Sequence, residues 1–303
     1  MKDWISFIHH ICIITLTMIN TTTSLNINDK SSHYKSIHNQ RLKSFDKRKT
    51  ISHSEAKSIY NQFAQSGHIG GNDASSNYGG PAIQALMNMA DFGVMMDVKP
   101  GNTNSDLIQR ILDYGCGQGK LAEHVFQSLP NEAQTIDWHG VDQSPLMIEK
   151  FQKRMNRYEN DQFHSTSHFM RDGNPWSLIS ILPGKQYDRF VSTYCLDLLS
   201  EEDMYSVLAL AEHCLHPTKG ILLLAGITYG YKDSFSTFWM TLAWELMYRI
   251  RPDIVGGCRP QCLLPYLKEK GWIIETIERT NPIGFPWMMS EVISARPPIQ
   301  TNQ

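Results

Sequence analysis

The stretch Ile111-Leu112-Asp113-Tyr114-Gly115-Cys116-Gly117-Gln118-Gly119-Lys120 constrains the fold more than any other part of this chain. An apolar run ends on an acidic residue, three glycines alternate, and a helical pattern begins. That order predicts a buried strand, a tight turn and a helix start. Glycines at 115, 117 and 119 open backbone conformations closed to other residues and let a ligand approach the main chain. A helix starting there aims its unpaired N–H groups at whatever occupies the turn. The expectation is a nucleotide-like cofactor site on an α/β sheet, provided the rest of the chain supplies the sheet.

It does so by alternation. Strands are expected at about Leu107–Tyr114, Thr135–Asp142, His168–Arg171, Asp188–Tyr194 and Ile221–Ile227. A helix is expected over about Lys120–Leu129. Another is capped by Ser144, has Pro145 in its first turn, and continues through Met147, Phe151 and Met155. A third follows a Ser200/Asp203 capping box, with Met204, Val207, Leu208, Ala211 and Leu215 as its apolar stripe. Ile221–Ile227 is apolar throughout, as suits a strand covered on both faces. Strands alternating with helices mean βαβ units. Trp272–Glu278 and Glu291–Ala295 flank a loop with Pro282, Gly284 and Pro286, the spacing of a closing hairpin. The expected class is α/β, Rossmann-like: a mainly parallel seven-stranded sheet with helices on both faces and a C-terminal antiparallel hairpin.

The flanks differ from this body. Trp4–Ile19 is mostly apolar, but its sixteen residues are short for a membrane span and resemble a signal-peptide core. Residues 30–50 carry seven Lys/Arg against Asp46 alone, the pattern of a disordered basic arm. Residues 1–52 are therefore expected to be a targeting or signal-like segment plus this arm. They suggest a secretory route or an organelle reached by a bipartite leader, with the cytoplasm as the alternative. Residues 53–103 are expected to form an N-terminal helical lid. Ser54 is its first candidate cap, a Gly/Asn-rich loop follows around His68 and Tyr78, and Pro81 is placed at the start of a second helix. The main domain is expected over 104–303, with a helical insert at about 229–262.

Charge narrows the partners. Residues 1–50 hold eight Lys/Arg and three Asp/Glu, while the other 253 hold twenty and twenty-seven. The body is therefore mildly acidic, without the basic stripe that a nucleic-acid backbone requires. The six cysteines are scattered, with no CxxC pair and no His/Cys spacing for zinc, so no metal site and no disulfide framework are expected.

At the glycine turn two cofactor readings compete. A dinucleotide fingerprint wants G-x-G-x-x-G, and Lys120 stands where its third glycine would fall. Asp142, at the end of the second strand, can accept from ribose hydroxyls in either case. The spacing favours an adenosine cofactor that is not a dinucleotide.

Asp113-x-Gly115-x-Gly117-x-Gly119 resembles the first motif of class I S-adenosylmethionine-dependent methyltransferases. Gly140-Val141-Asp142-Gln143-Ser144, Arg171-Asp172-Gly173, Tyr187-Asp188-Arg189-Phe190-Val191 and Leu215-x-Pro217-x-x-Gly220 match the later motifs in order. The resemblance spans about Leu107–Pro297. Ser192–Leu199 and Val255-Gly256-Gly257-Cys258-Arg259-Pro260 are similar to a small-molecule subgroup without a settled substrate. The resemblance implies S-adenosyl-L-methionine as cofactor. It implies that Asp113 and the turn Gly115, Cys116, Gly117 and Gly119 hold its methionine end, and that Asp142 takes the ribose. Gln143 and Met147 would border the adenine, Asp172 would accept from its amino group, and Gly173 would present backbone to the ring. Thr193 and Tyr194 would line the transfer cleft.

The chemistry asks little of the protein: align an acceptor in line with the methyl and exclude water. A base is needed only if the acceptor arrives protonated. Tyr194, Asp197, His68 and Tyr78 are the cleft candidates, and none is singled out as the base. The expected acceptor is a small or lipid-like molecule. The Asn/Asp-Pro-Pro-aromatic turn of exocyclic-nitrogen base methyltransferases is missing after the fourth strand, and no Pro-Cys nucleophile occurs, which argues against nucleic acid. The aromatics of Phe235–Met247 can line an acceptor pocket or touch a membrane, and Arg259 can meet an anionic acceptor. A silent cofactor-binding or partner-binding relative is the first rival function, and a nucleotide-dependent oxidoreductase the second.

Overall fold

The computed structural model describes residues 50–66, 74–93, 108–129, 135–182, 184, 186–229, 235–280 and 289–299, with backbone alone at 66, 74–79 and 235–240. All lie in the compact unit Lys49–Gln303. The expectations for the leader and arm up to residue 49, for His68 and for the Pro282–Pro286 loop fall outside the described residues.

Successive residues of each central strand serve opposite faces, because side chains alternate across a pleated sheet. In β1 (Ile108–Tyr114) Leu112 and Tyr114 join one buried cluster and Ile111 the other. β4 (Arg189–Thr193) divides Phe190 from Val191 in the same way. β5 (Ile221–Thr228), buried along its whole length, divides Leu222 and Leu224 from Leu223 and Ala225. Each cluster needs its own helices. α2 (Ala74–Ala90), α3 (Lys120–Ser128) and α4 (Pro145–Met155) supply one, through Leu86, Val125 and Phe151. α5 (Glu201–Cys214) and α7 (Leu264–Glu269) supply the other, through Leu208, Ala211 and Leu267. Helices therefore cover both faces.

With β2 (Thr135–Asp142), β3 (Phe163–Phe169), β6 (Ile273–Thr280) and β7 (Met289–Arg296) the sheet has seven strands in the order β3-β2-β1-β4-β5-β7-β6. All neighbours are parallel up to β5. β7 runs antiparallel between β5 and β6. The chain winds outward from β1 to β3 on one side and from β4 to β5 on the other. The β1/β4 boundary is thus the topological switch point, where open α/β sheets leave a crevice at their carboxyl ends.

Three sequence expectations are corrected. The third strand is Phe163–Phe169, not His168–Arg171. It is an edge strand, so Phe-His-Ser-Thr-Ser-His-Phe needs no apolar run to hold its place. The second helix starts at Ala74, seven residues before Pro81, and carries that proline inside. One backbone donor is lost there without ending the helix. The first helix, α1 (His53–Ser66), is capped by Ser52 rather than Ser54. The Ser52 hydroxyl accepts from the Glu55 N–H at 3.2 Å, and the Glu55 carboxylate accepts from the Ser52 N–H at 2.8 Å, a reciprocal capping box.

Polar side chains fix the lower ends of the strands. Asp188 accepts from the Arg110 N–H at 2.9 Å and so ties β4 to β1. Arg189, 1 % exposed, donates from Nε to the Ala90 carbonyl at 2.5 Å, closing the C-terminal end of α2 against the sheet.

Candidate functional site

The turn after β1 is built by backbone bonding. The N–H groups of Gly115 and Cys116 both donate to the Val141 carbonyl, at 2.8 and 3.0 Å, which locks the turn to β2. Gly115, Gly117 and Gly119 all have positive φ, of 76, 53 and 76°. Two of them are also steric necessities. A Cβ on Gly115 would stand 2.5 Å from the Cys195 Sγ, and one on Gly119 would stand 2.8 Å from the Phe151 ring. Gly117 differs, because no described atom lies within 4 Å of where its Cβ would point. The turn is packed tightly beneath and open above Gly117, the shape of a cradle.

Asp142 governs that cradle. One carboxylate oxygen accepts from the Gly117 N–H at 3.0 Å, the other from the Ser144 N–H at 2.8 Å. The same residue therefore sets the glycine turn and the entry to α4. Ser144 caps α4 as expected, accepting from the Met147 N–H at 3.2 Å. Its hydroxyl also donates to Asn61 of α1 at 2.6 Å. The cap was legible in sequence. Asn61 was not, because its partner is eighty-three residues away.

The other expected site residues fall into two groups. Asp113, next to last in β1, is 1 % exposed, and neither carboxylate oxygen is hydrogen-bonded among the described residues. Met147 is buried in the first turn of α4, and Thr193 ends β4 at the switch point. The Cys116 thiol turns inward to Gly140 and Phe151, so only its backbone belongs to the turn. Gln143, between Asp142 and Ser144, is half-buried. Asp172, by contrast, is exposed. It accepts from the Asn174 N–H at 3.1 Å and the Ser177 hydroxyl at 3.2 Å, bracing the single helical turn Pro175–Leu178. Gly173 takes φ 71° and leaves room for the His53 ring, which a Cβ would meet at 2.7 Å.

Beyond β4 the backbone is strained. Tyr194 has φ 51°, unusual for a bulky residue. Its N–H donates to the Ala225 carbonyl at 2.7 Å, and its hydroxyl lies 2.9 Å from the Ser290 hydroxyl. The kink turns Cys195 over Gly115 and directs the chain into the short helix Leu196–Leu198. There Asp197, 1 % exposed, accepts from the Ile227 N–H at 3.1 Å with one oxygen, and the other has no partner among the described residues. The Arg259 N–H donates to the Asp197 carbonyl at 3.2 Å, and the Arg259 guanidinium to the Leu199 carbonyl at 3.0 Å. Arg259 is thus an interior brace, 4 % exposed, and not a surface group awaiting an anion. The segments 192–199 and 255–260, distant in sequence, form one wall.

Three buried aspartates mark this end of the sheet. Burial pushes Asp113 up to about 7. The Trp138 indole offsets part of this without reaching hydrogen-bond geometry to either oxygen, and the Asp142 charge adds to it. Burial also raises Asp142 and Asp197 to about 6, against the backbone donors that favour their ionised forms. Such a site suits a cationic ligand. Among the described residues no group of His, Cys, Asp and Glu is arranged to hold a metal ion.

A pH effect follows from Asp113. Between pH 3.8 and about 7 the native state holds a proton that the unfolded chain has lost, so rising pH favours unfolding. Stability of the ligand-free protein is expected to fall across that window by up to ~1.4 kcal/mol per pH unit. Asp142 and Asp197 add to its lower part. Urea unfolding from pH 4.5 to 7.5 checks this. Asp113→Asn should flatten the slope, and an unchanged slope would remove Asp113 as its source.

Residues 111–218 match the family model described as "Methyltransferase domain". Among solved structures the chain is similar to the protein solved in complex with the Haloferax volcanii Trm112 methyltransferase activator. The identity is 13% and the TM-score 0.52, over 79% of this chain and 97% of that one. It is also similar to the 1,6-didemethyltoxoflavin-N1-methyltransferase of Burkholderia thailandensis, with 12% identity and a TM-score of 0.50 over 83% of this chain and 92% of that one. At these identities the likeness is one of fold. No curated protein matches the chain.

Proposed function

We propose, on the premise that this chain carries a methyltransferase domain of the class I fold, that it moves a methyl group from S-adenosylmethionine to a small-molecule or lipid-like acceptor. The observation that carries this reading is the Asp142 carboxylate bridging Gly117 and Ser144 at the switch point, beneath the open space over Gly117. When bound, the cofactor supplies an electrophilic sulfonium methyl.

The residues present fit that group. Asp113 and the Gly115–Gly119 turn would hold the methionine end, where the buried carboxyls offset the positive charges of sulfonium and ammonium. Asp142 keeps lone pairs for the ribose hydroxyls, and Gln143 and Met147 border the adenine. Gly173 lies at the far edge with Asp172, which has one oxygen free for the adenine amino group. Thr193 and Tyr194 line the cleft towards the acceptor. α1, tied to the cofactor side by Asn61, and α6 (Phe235–Ile250) flank the acceptor side. Leu242, Leu246 and Ile250, exposed on α6, offer an apolar contact to a lipid-like acceptor or a membrane surface.

Titration calorimetry with S-adenosylhomocysteine tests the reading, since that ligand fills the site without reacting. Binding is expected. No heat with S-adenosylhomocysteine, together with thermal protection by NADH, would replace it with an oxidoreductase.

A further inference from the structure

Besides the Asp113 carboxylate and one Glu291 oxygen, the buried polar atoms at this end of the sheet without a partner among the described residues include the second Asp197 carboxylate oxygen and the Thr228 hydroxyl. Both residues are 1 % exposed. They share a face. The Cβ position of Gly226 lies 3.7 Å from the Asp197 carboxylate, and Thr228, two residues along β5, projects to the same side. Thr228 is the last residue of its strand, at the carboxyl end where the cleft opens.

A buried polar atom left unbonded costs stability and calls for an explanation. Asp113 belongs to the cofactor turn. Among the described residues no hydrogen bond links the Asp197 or Thr228 side chain to a residue assigned to the cofactor. Two neighbouring rings, Tyr60 and Tyr194, lie close enough to Asp197 for its charge to act on their hydroxyls. Tyr60, Tyr194 and Trp244 pack on the small cluster of Leu198, Ile227 and Cys258. The Tyr60 hydroxyl lies 3.8 Å from the Cys258 sulfur, and the Trp244 indole donates to the Cys258 carbonyl at 2.8 Å. The wall reaches the methyl-transfer side, because Cys195, two residues before Asp197, covers Gly115.

We propose that Asp197 and Thr228 form the polar floor of the acceptor subsite, and that the acceptor it takes is an amine, free or carried on a lipid. The proposal rests on the methyltransferase reading and deepens it. A carboxylate oxygen can only accept, so its missing partner is a donor. A carboxylate also bonds more strongly to an ammonium than to a neutral hydroxyl. The ammonium gives one proton to Asp197, and the nitrogen lone pair it frees bonds to the methyl carbon. The carbon–sulfur bond breaks with its electron pair left on sulfur. The products are an N-methylammonium, a neutral thioether and a protonated Asp197, which returns its proton to solvent.

The test has three arms. S-adenosylhomocysteine affinity is measured by calorimetry on the wild type and on Asp197→Asn, which keeps an oxygen for the Ile227 N–H. It should agree within about twofold. Butylamine and butanol are then titrated into the S-adenosylhomocysteine-loaded wild type. The amine should bind at least about tenfold tighter, and Asp197→Asn should abolish the difference. Finally, methyl-labelled S-adenosylmethionine is supplied with a cell extract separated on a cation exchanger. Label should enter retained compounds, about 10²- to 10⁴-fold more slowly with Asp197→Asn. If that variant does not fold, Thr228→Val serves. Replacing an unpartnered hydroxyl with a methyl should raise the melting temperature of the ligand-free protein while weakening butylamine binding, a pair of effects that a structural hydroxyl would not give. Equal binding of amine and alcohol, label only in unretained compounds, or wild-type turnover by Asp197→Asn would each overturn the proposal. So would binding of S-adenosylhomocysteine with no labelled product, which leaves the donor reading standing. Failure of the wild type to bind S-adenosylhomocysteine would end both.

Discussion

Gly115→Ala is expected to lose ~2–5 kcal/mol of stability, the sum of a left-handed backbone forced on alanine and an overpacked contact. That is a large share of the ~5–15 kcal/mol that holds a domain folded. The new methyl would meet Cys195 at 2.5 Å from its Sγ and 2.6 Å from its Cβ. Neither side can yield cheaply. The turn is held by two N–H bonds to Val141, and Cys195 follows the strained Tyr194. Denaturant unfolding of wild type and variant checks this. Gly117→Ala is the control on the same turn. Its φ of 53° imposes strain of only ~1–2 kcal/mol, because no described atom lies within 4 Å of the new methyl. That methyl would instead occupy the open space, so the variant should fold and lose S-adenosylhomocysteine. Normal binding by Gly117→Ala would mean the turn does not face the cofactor.

Asp142→Ala should weaken S-adenosylhomocysteine binding by ~1–3 kcal/mol, roughly five- to 150-fold. Two effects combine. The ribose hydroxyls lose their acceptor, and the Gly117 and Ser144 N–H groups lose the carboxylate that positions them. Asp142→Asn separates the two, since its single amide oxygen can hold one N–H but not both. An affinity between those of wild type and Asp142→Ala is expected by calorimetry. Should Asp142→Ala bind as tightly as wild type, the ribose is read elsewhere.

Much of this was legible because it depends on neighbours in sequence. The Thr135–Asp142 strand, the Ser144 cap and the Ser200 cap each rest on local pattern and stand where that pattern put them. The glycine turn is legible for the same reason, since positive φ is a property of the residue itself. β3 was misplaced because an edge strand carries no apolar run, and α2 began early because one lost donor does not break a helix. Among the described residues no helix is long and apolar enough to cross a membrane. That statement does not reach the apolar stretch at the start of the chain.

What the sequence by itself determined is the alternation of strands and helices and the three-glycine turn, with Asp113 before it and Asp142 at the end of the next strand. Backbone sterics and side-chain periodicity act over a few residues and need no tertiary context. Only the tertiary structure decided that Cys195 closes over Gly115, that Arg259 is an interior brace, and that Asp197 and Thr228 share a face with unspent polar atoms. Those facts depend on strand order and on crossing the switch point, which bring together residues that the linear pattern leaves dozens of positions apart. Under the proposed function, the turn at 113–119 is the donor's place and the wall built from 192–199 and 255–260 is the acceptor's.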